Sequence, residues 1–248
     1  MITTLGIERE RFIINSISNK IVPAIGILLP KVHEEAKRIS LSEELFTYEL
    51  FAGQIEDKTL PCNSLLSLKD ALITNDQIMR KVASKHGLGF DFSELVEENR
   101  ISSLEVNPFS KRHQNLWYSI SPERRLAASV VAAVHVHLAI PESHVVKILN
   151  ICRRKVIGKL TKIGDHSDGK RINAYTIMAK TDGVPPLFSN FKEVLEYINV
   201  KGGEKNVWDL VRFKPSTRTI EFRMFGTTES IEEIIEYAKA CLEIVKFS

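Results

Sequence analysis

Cysteine is scarce in this chain. The three present, Cys62, Cys152 and Cys241, are far apart, and none sits in a C-x-x-C pair. That pattern predicts free thiols in a reducing, cytoplasmic setting rather than a disulfide framework. A surplus of charge is also missing: 34 basic residues against 31 acidic ones leave +3. A balance that close argues for neither nucleic acid nor membrane as partner. Long apolar runs are lacking as well, since residues 21–29 and 126–140 are too short for a bilayer span and the second contains two histidines. No signal-peptide pattern opens the chain, which begins with a strand-like segment carrying Glu8, Arg9, Glu10 and Arg11. Internal repeats and low-complexity tracts are absent. What remains is an ordinary globular composition, 44% apolar and 26% charged, in 248 residues. It predicts a single domain over 1–248.

Periodicity divides the chain into strands and helices of uneven spacing. Strand-like stretches are expected over residues 2–16, 48–56, the second half of 129–140, 207–213 and 217–225. Helices are expected over 31–38, over 63–86 as one long helix or a broken pair with Asn63 as cap and Gly87 as stop, after the Ser121-Pro122 start, and over 142–163. Two further helices follow the capping pairs Asn190/Glu193 and Ser230/Glu233. The basic group Arg153, Arg154, Lys155, Lys159 and Lys162 falls on helical spacing and reads as a solvated face. Residues 87–117 read mostly as loop with a turn at Asn107-Pro108-Phe109, residues 165–171 as loop, and 183–188 as a rigid Pro-Pro turn. The last two strands form a hairpin through Lys214-Pro215-Ser216. The pattern favours α+β, and spacing alone leaves a parallel α/β sheet open.

Three strands repeat one device. In an extended chain alternate side chains share a face, so Glu221 and Arg223 point one way while Ile220, Phe222 and Met224 point the other. Glu8 and Glu10 near the start, and His135 and His137 in the third stretch, have the same two-residue spacing, and Glu56 is a further carboxylate. Each pair alone is explained by solvation: a surface ion pair, two solvated acids, two hydrogen-bonded imidazoles. Together they suit a site that holds divalent ions and phosphate side by side.

Read in order, Gly6-Ile7-Glu8-Arg9-Glu10, Gly53-Gln54-Ile55-Glu56, Asn107-Pro108-Phe109, His135-Val136-His137-Leu138-Ala139-Ile140-Pro141, Gly183-Val184-Pro185-Pro186, Trp208 with Arg212, and Thr219-Ile220-Glu221-Phe222-Arg223 resemble the glutamate-cysteine ligase family 2 proteins. These are carboxylate-amine ligases of the glutamine synthetase superfamily. The resemblance implies a curved, mainly antiparallel sheet with helices packed on its outer face, a site on its inner face, ATP, and two or more ions of magnesium or manganese. It implies that Glu8, His135 and Glu221 ligate the ion nearest the nucleotide phosphates. Glu10 and Glu56 would ligate one nearer the acyl substrate. His137 resembles a residue that approaches ATP phosphate, and Arg212 and Arg223 resemble phosphate-binding, catalytic arginines. The partners implied are a small-molecule carboxylate, such as glutamate, and an amine, with assembly into homo-oligomers left open. Two other readings stand beside this one, a nucleotide- or metal-binding module without turnover and a metal-dependent phosphohydrolase. Retention of every carboxylate and both histidines argues against the first, and the scarcity of clustered aspartates against the second.

Overall fold

The computed structural model describes residues 4–246. The first residues of the strand expected over 2–16, and the end of the domain expected over 1–248, lie outside them. Strand β1 (Leu5–Asn15) alternates from Leu5 to Arg11, with Leu5, Ile7, Arg9 and Arg11 on one side and Glu8 and Glu10 on the other, before Phe12 and Ile13 are both buried. Helix α1 (Ile25–Arg38) starts six residues before the expected 31–38 and keeps Pro30 inside it.

The strand expected over 48–56 is instead a hairpin, β2 (Phe46–Tyr48) and β3 (Gln54–Lys58). The chain turns at Gly53, where a Cβ would stand 2.4 Å from the Phe51 ring, so the turn is packed tightly enough to admit only glycine. Helix α2 (Leu65–Lys85) is capped by Ser64 rather than Asn63. The Ser64 hydroxyl accepts from the Ser67 amide at 3.1 Å, and the Ser67 hydroxyl accepts from the Ser64 amide at 3.2 Å. Gly87, at φ +66°, ends it as expected.

Within 87–117 the structure adds a short strand, β4 (Leu88–Asp91), and a helix, α3 (Lys111–Ser119). The turn at Asn107 is present, its side-chain oxygen accepting from the amides of Phe109 and Ser110. Helix α4 (Pro122–Ser129) follows its Ser121 cap into β5 (Ala133–Ala139). The single helix expected over 142–163 is two, α5 (Glu142–Ile151) and α6 (Arg154–Gly164). The break at Cys152 and Arg153 lets both keep an apolar side in the core, and Arg153 Nη1 donates to the Pro185 carbonyl at 2.5 Å. Helix α7 (Lys170–Ala179) occupies a stretch with no sequence assignment and takes in the end of the loop expected over 165–171. Helix α8 (Phe191–Val200) has its Asn190 cap; β6 (Val211–Lys214) is shorter than the expected 207–213; β7 (Thr219–Gly226) and α9 (Ile231–Lys246) close the fold.

Among the described residues seven strands form one antiparallel sheet in the order β2-β3-β1-β5-β7-β6, with β4 also paired to β1. This is an α+β fold. Leu5, Ile7, Val134, Val136, Leu138, Ile220 and Phe222 line one face and pack against α2, α5, α6, α8 and α9. At the same face Arg9 and Arg11 meet Asp57, and Arg11 Nη1 reaches Asp76 of α2 at 2.8 Å. The other face carries the polar residues. No helix among the described residues is long and apolar enough to cross a membrane.

Candidate active site

Antiparallel register assembles the site from residues far apart in sequence. Glu8 stands opposite His135 on one side and Lys58 on the other, Glu10 opposite Glu56, His137 opposite Glu221, and Glu221 opposite Arg212. Between Val134 and Val136 the β5–β7 pairing shifts, so β7 spends three residues where β5 spends two. Such a bulge re-aims side chains locally. Here it brings Arg223 to the same carboxylate that Arg212 holds.

Glu8, Glu10, His135, His137, Glu221 and Arg223 therefore share the face away from the packed helices. Glu8, Glu10, His135 and Arg223 line a cleft of about 370 Å³, together with Glu49, Glu56, Lys58, Arg212 and Lys214, while His137 lines a neighbouring hollow beside Glu8 and Lys58. A larger groove, about 770 Å³, lies between β4 and the start of α9 and contains none of the clustered ligands. Chemistry rather than size locates the site. The strand pattern suggests a solvated face, but the structure buries it; Glu221 is fully buried and Arg223 nearly so.

His135 is the centre. Its Nδ1 lies 3.4 Å from Glu8 and 3.7 Å from Glu221, while its Nε2 lies 3.8 Å from Glu10. Two ligand sets result, Glu8 with His135 and Glu221, and Glu10 with Glu56 and His135, each with its donor atoms within 4.8 Å of one another. A neutral imidazole has one free lone pair, so His135 serves one set through Nδ1 or the other through Nε2, its remaining N–H donating to the opposite carboxylate. Oxygen donors with one imidazole suit a hard divalent ion, so the residues fit the ions that the resemblance implies.

Electrostatics separates the acids into two groups. Burial would raise Glu8, but His137, His135 and Lys58 hold it well below the usual carboxylate range. Glu221 is likewise buried and likewise held down, by Arg212 and Arg223. Glu10 is pushed up to about 8 by burial and by Glu56. Glu49 rises to about 7 through burial and Glu10, and Glu56 rises well above its usual value through burial and the charges of Glu8 and Glu49. A divalent ion between Glu10 and Glu56 would relieve that crowding. Burial and Arg223 push His135 down to about 4, leaving its ring neutral and able to ligate.

The cations are not equivalent. Lys58 Nζ sits 3.0 Å from Glu56 and 3.5 Å from Glu8, and Lys214 Nζ 3.5 Å from Glu8. His137 Nδ1 meets Thr219 at 3.2 Å; its Nε2 is 3.4 Å from Glu8 without the alignment of a hydrogen bond. Beyond Glu10 the cleft narrows to a pocket of about 90 Å³ reached by Arg171 of α7 and by Arg223. Arg171 is 1% exposed, and its Nη2 donates to the Met224 carbonyl while its Nε has no hydrogen-bond partner. Lys58 and Lys214 lie two residues beyond Glu56 and Arg212, and that spacing is the signal that finds them. Glu49 lies between strands and Arg171 in an unassigned helix, so periodicity finds neither.

Comparison with known proteins gives the chain's family and a likeness of fold. The sequence model of glutamate-cysteine ligase family 2 matches residues 4–156. The chain belongs to that family. A relative in Roseiflexus sp. (strain RS-1), provisionally named glutamate–cysteine ligase 2, is 24% identical over 253 residues, 95% of this chain and 64% of its own length. One of the same provisional name in Chloroflexus aurantiacus is 24% identical over 273 residues, 98% of this chain and 64% of its own length. The chain thus spans less than two thirds of these family members. Among solved structures, a bifunctional glutathione synthetase from Pasteurella multocida superposes with a TM-score of 0.59 at 14% identity, covering 99% of this chain and 39% of that one. That likeness is one of fold.

Proposed function

We propose that this chain is the catalytic domain of an ATP-dependent carboxylate-amine ligase that forms an amide, of the γ-glutamyl type, through an acyl phosphate. The observation that carries the reading is His135 between two carboxylate sets, with Arg223 beside them, in a chain of this family. Glu8, His135 and Glu221 would hold one ion and Glu10 with Glu56 a second. Bound there, magnesium or manganese would neutralise phosphate oxygens and the attacking carboxylate, two anions that otherwise repel. Lys58, Lys214 and His137 border the first set and would supply charge and donors to nucleotide phosphates bound there. The acid lies toward the narrow pocket, its reacting carboxylate at Glu10 and Glu56 and its other polar end at Arg171. Arg223 reaches between the two, where its fork can stabilise charge on the transferred phosphoryl group. The amine then attacks the acyl phosphate, phosphate leaves, and the amide remains. No cysteine is required, and all three are buried.

Hydroxylamine tests the intermediate. With ATP, magnesium and an acceptable acid such as glutamate, hydroxamate should accumulate, and phosphate release should depend on the acid. Phosphate release without any acid would favour a phosphohydrolase, and no ATP binding at all would sink both enzyme readings.

A further inference from the structure

Arg212 spends four of its five N–H donors on protein. Its Nε donates to Glu221 Oε2 at 2.5 Å and its Nη2 to Glu221 Oε1 at 3.2 Å, a two-point grip on one carboxylate. Its Nη1 donates twice more, to the Val207 carbonyl at 2.6 Å and the Glu204 carbonyl at 3.1 Å. Those carbonyls belong to a turn that is itself fixed. The Glu204 carboxylate accepts from the amide and hydroxyl of Ser216 in the β6–β7 connection, and Arg112 of α3 donates to the Lys205 carbonyl and the Asn206 side chain. Arg223 differs. It gives Glu221 a single bond, from Nη1 at 2.5 Å, its buried Nε has no hydrogen-bond partner, and its side chain lines both the cleft and the narrow pocket.

We propose that Arg212 is a positioning residue: it anchors the Glu221 carboxylate to the 204–207 turn and so fixes one wall of the ligand set formed with Glu8 and His135, rather than clamping phosphate. Glu221 is fully buried, and a buried carboxylate needs its orientation and its charge supplied by neighbours. Arg212 supplies both from a fixed point. A guanidinium that bridges one carboxylate and two carbonyls with four of its five N–H groups has one left for any phosphate and cannot turn a two-point fork to it without releasing them, whereas Arg223 gives its carboxylate a single bond. The division leaves Arg223, Lys58 and Lys214 as the cations for the nucleotide, and it makes the turn at 204–207 part of the metal site without touching an ion. The inference rests on the ligand set of the preceding section and not on turnover.

Binding of Mn²⁺ followed by electron paramagnetic resonance, without nucleotide, separates the two roles. Loss of a group that orients a ligand typically weakens metal binding about 10- to 100-fold. Arg212→Gln should do so with its fold intact by circular dichroism. A phosphate clamp predicts an unchanged Mn²⁺ titration and weaker ATP binding, and that result would overturn the proposal. If Arg212→Gln does not fold, Arg212→Lys carries the test, because one ammonium keeps the charge but cannot rebuild the fork and both carbonyl bonds. Wild-type-like Mn²⁺ affinity in Arg212→Lys also overturns it. Arg212-dependent Mn²⁺ binding in a protein that forms no hydroxamate would leave the positioning role standing while the ligase reading falls. A wild-type protein that binds no Mn²⁺ would remove both the ligand set and its anchor.

Discussion

A buried guanidinium without a counter-ion is costly unless something supplies the anion, and Arg171 is in that position at the end of the narrow pocket. Glu94, Asp165 and Glu10 act on it through space, yet among the described residues none forms an ion pair with it. In the ligase reading the acid's non-reacting carboxylate completes it. Arg171→Gln should therefore raise the apparent KM for the acid about tenfold or more while leaving the KM for ATP near normal, and steady-state kinetics with each substrate varied would check this. An equal change in both would make Arg171 a general support of the sheet, through its bond to Met224, and not an acid contact. The identity of the ligand cluster was open to reading because Glu8/Glu10, His135/His137 and Glu221/Arg223 each keep a two-residue spacing on a strand. Arg171 escapes that logic. It sits in a helix whose apolar pattern is weak, and only the tertiary fold shows that it turns inward.

Elements matter because a strand has two faces and β1 uses both. Its outer face presents Arg9 and Arg11 to Asp57 of β3, with Asn75 of α2 donating to Asp57 at 3.2 Å. Its inner face presents Glu8 and Glu10 to Glu56, the neighbour of Asp57 in β3. The ion cluster thus locks the β1–β3 register from behind, and a one-residue slip would carry every carboxylate to the wrong side. Asp57→Asn should destabilise the fold by roughly 3–5 kcal/mol, since two buried arginines would lose their shared partner. Thermal unfolding would show a fall in Tm of about 10 °C or more; a fall within a few degrees would mean that Asp76 alone satisfies both. Sequence periodicity located these strands well but not their ends. Runs such as 48–56 and 142–163 keep an apolar rhythm across a turn, and the breaks come from close packing at Gly53 and from the bend at Cys152 and Arg153.

At the scale of the whole molecule, the sheet gathers at least three high-pKa carboxyls from β1, β3 and the β2–β3 connection around one cleft, which couples folding to pH and to metal. Glu10 titrates at about 8 in the folded protein against a usual 4.5, so its raised value favours the folded state fully below the usual value and progressively less as pH rises toward 8. Glu49, at about 7, and Glu56 act in the same direction. His135, pushed down to about 4, has the opposite effect, but both folded and unfolded forms of it are largely neutral above pH 7. Between pH 7 and 8.5 the metal-free protein should therefore lose stability, on the order of 1–2 kcal/mol, or roughly 5 °C in Tm. A divalent ion binds only the deprotonated acids and only the assembled cleft. Magnesium or manganese at about 100 times its dissociation constant should add about 2.7 kcal/mol, and the gain should be larger at pH 8.5 than at pH 7 because fewer protons compete. Melting curves at both pH values, with chelator and with excess ion, give the four numbers needed. Glu10→Gln should flatten the metal-free profile and shrink the metal-induced shift together. A flat wild-type profile, or a metal shift that persists in full in Glu10→Gln, would show that the carboxyls of the cleft are solvated acids and not a ligand set held in readiness by the fold.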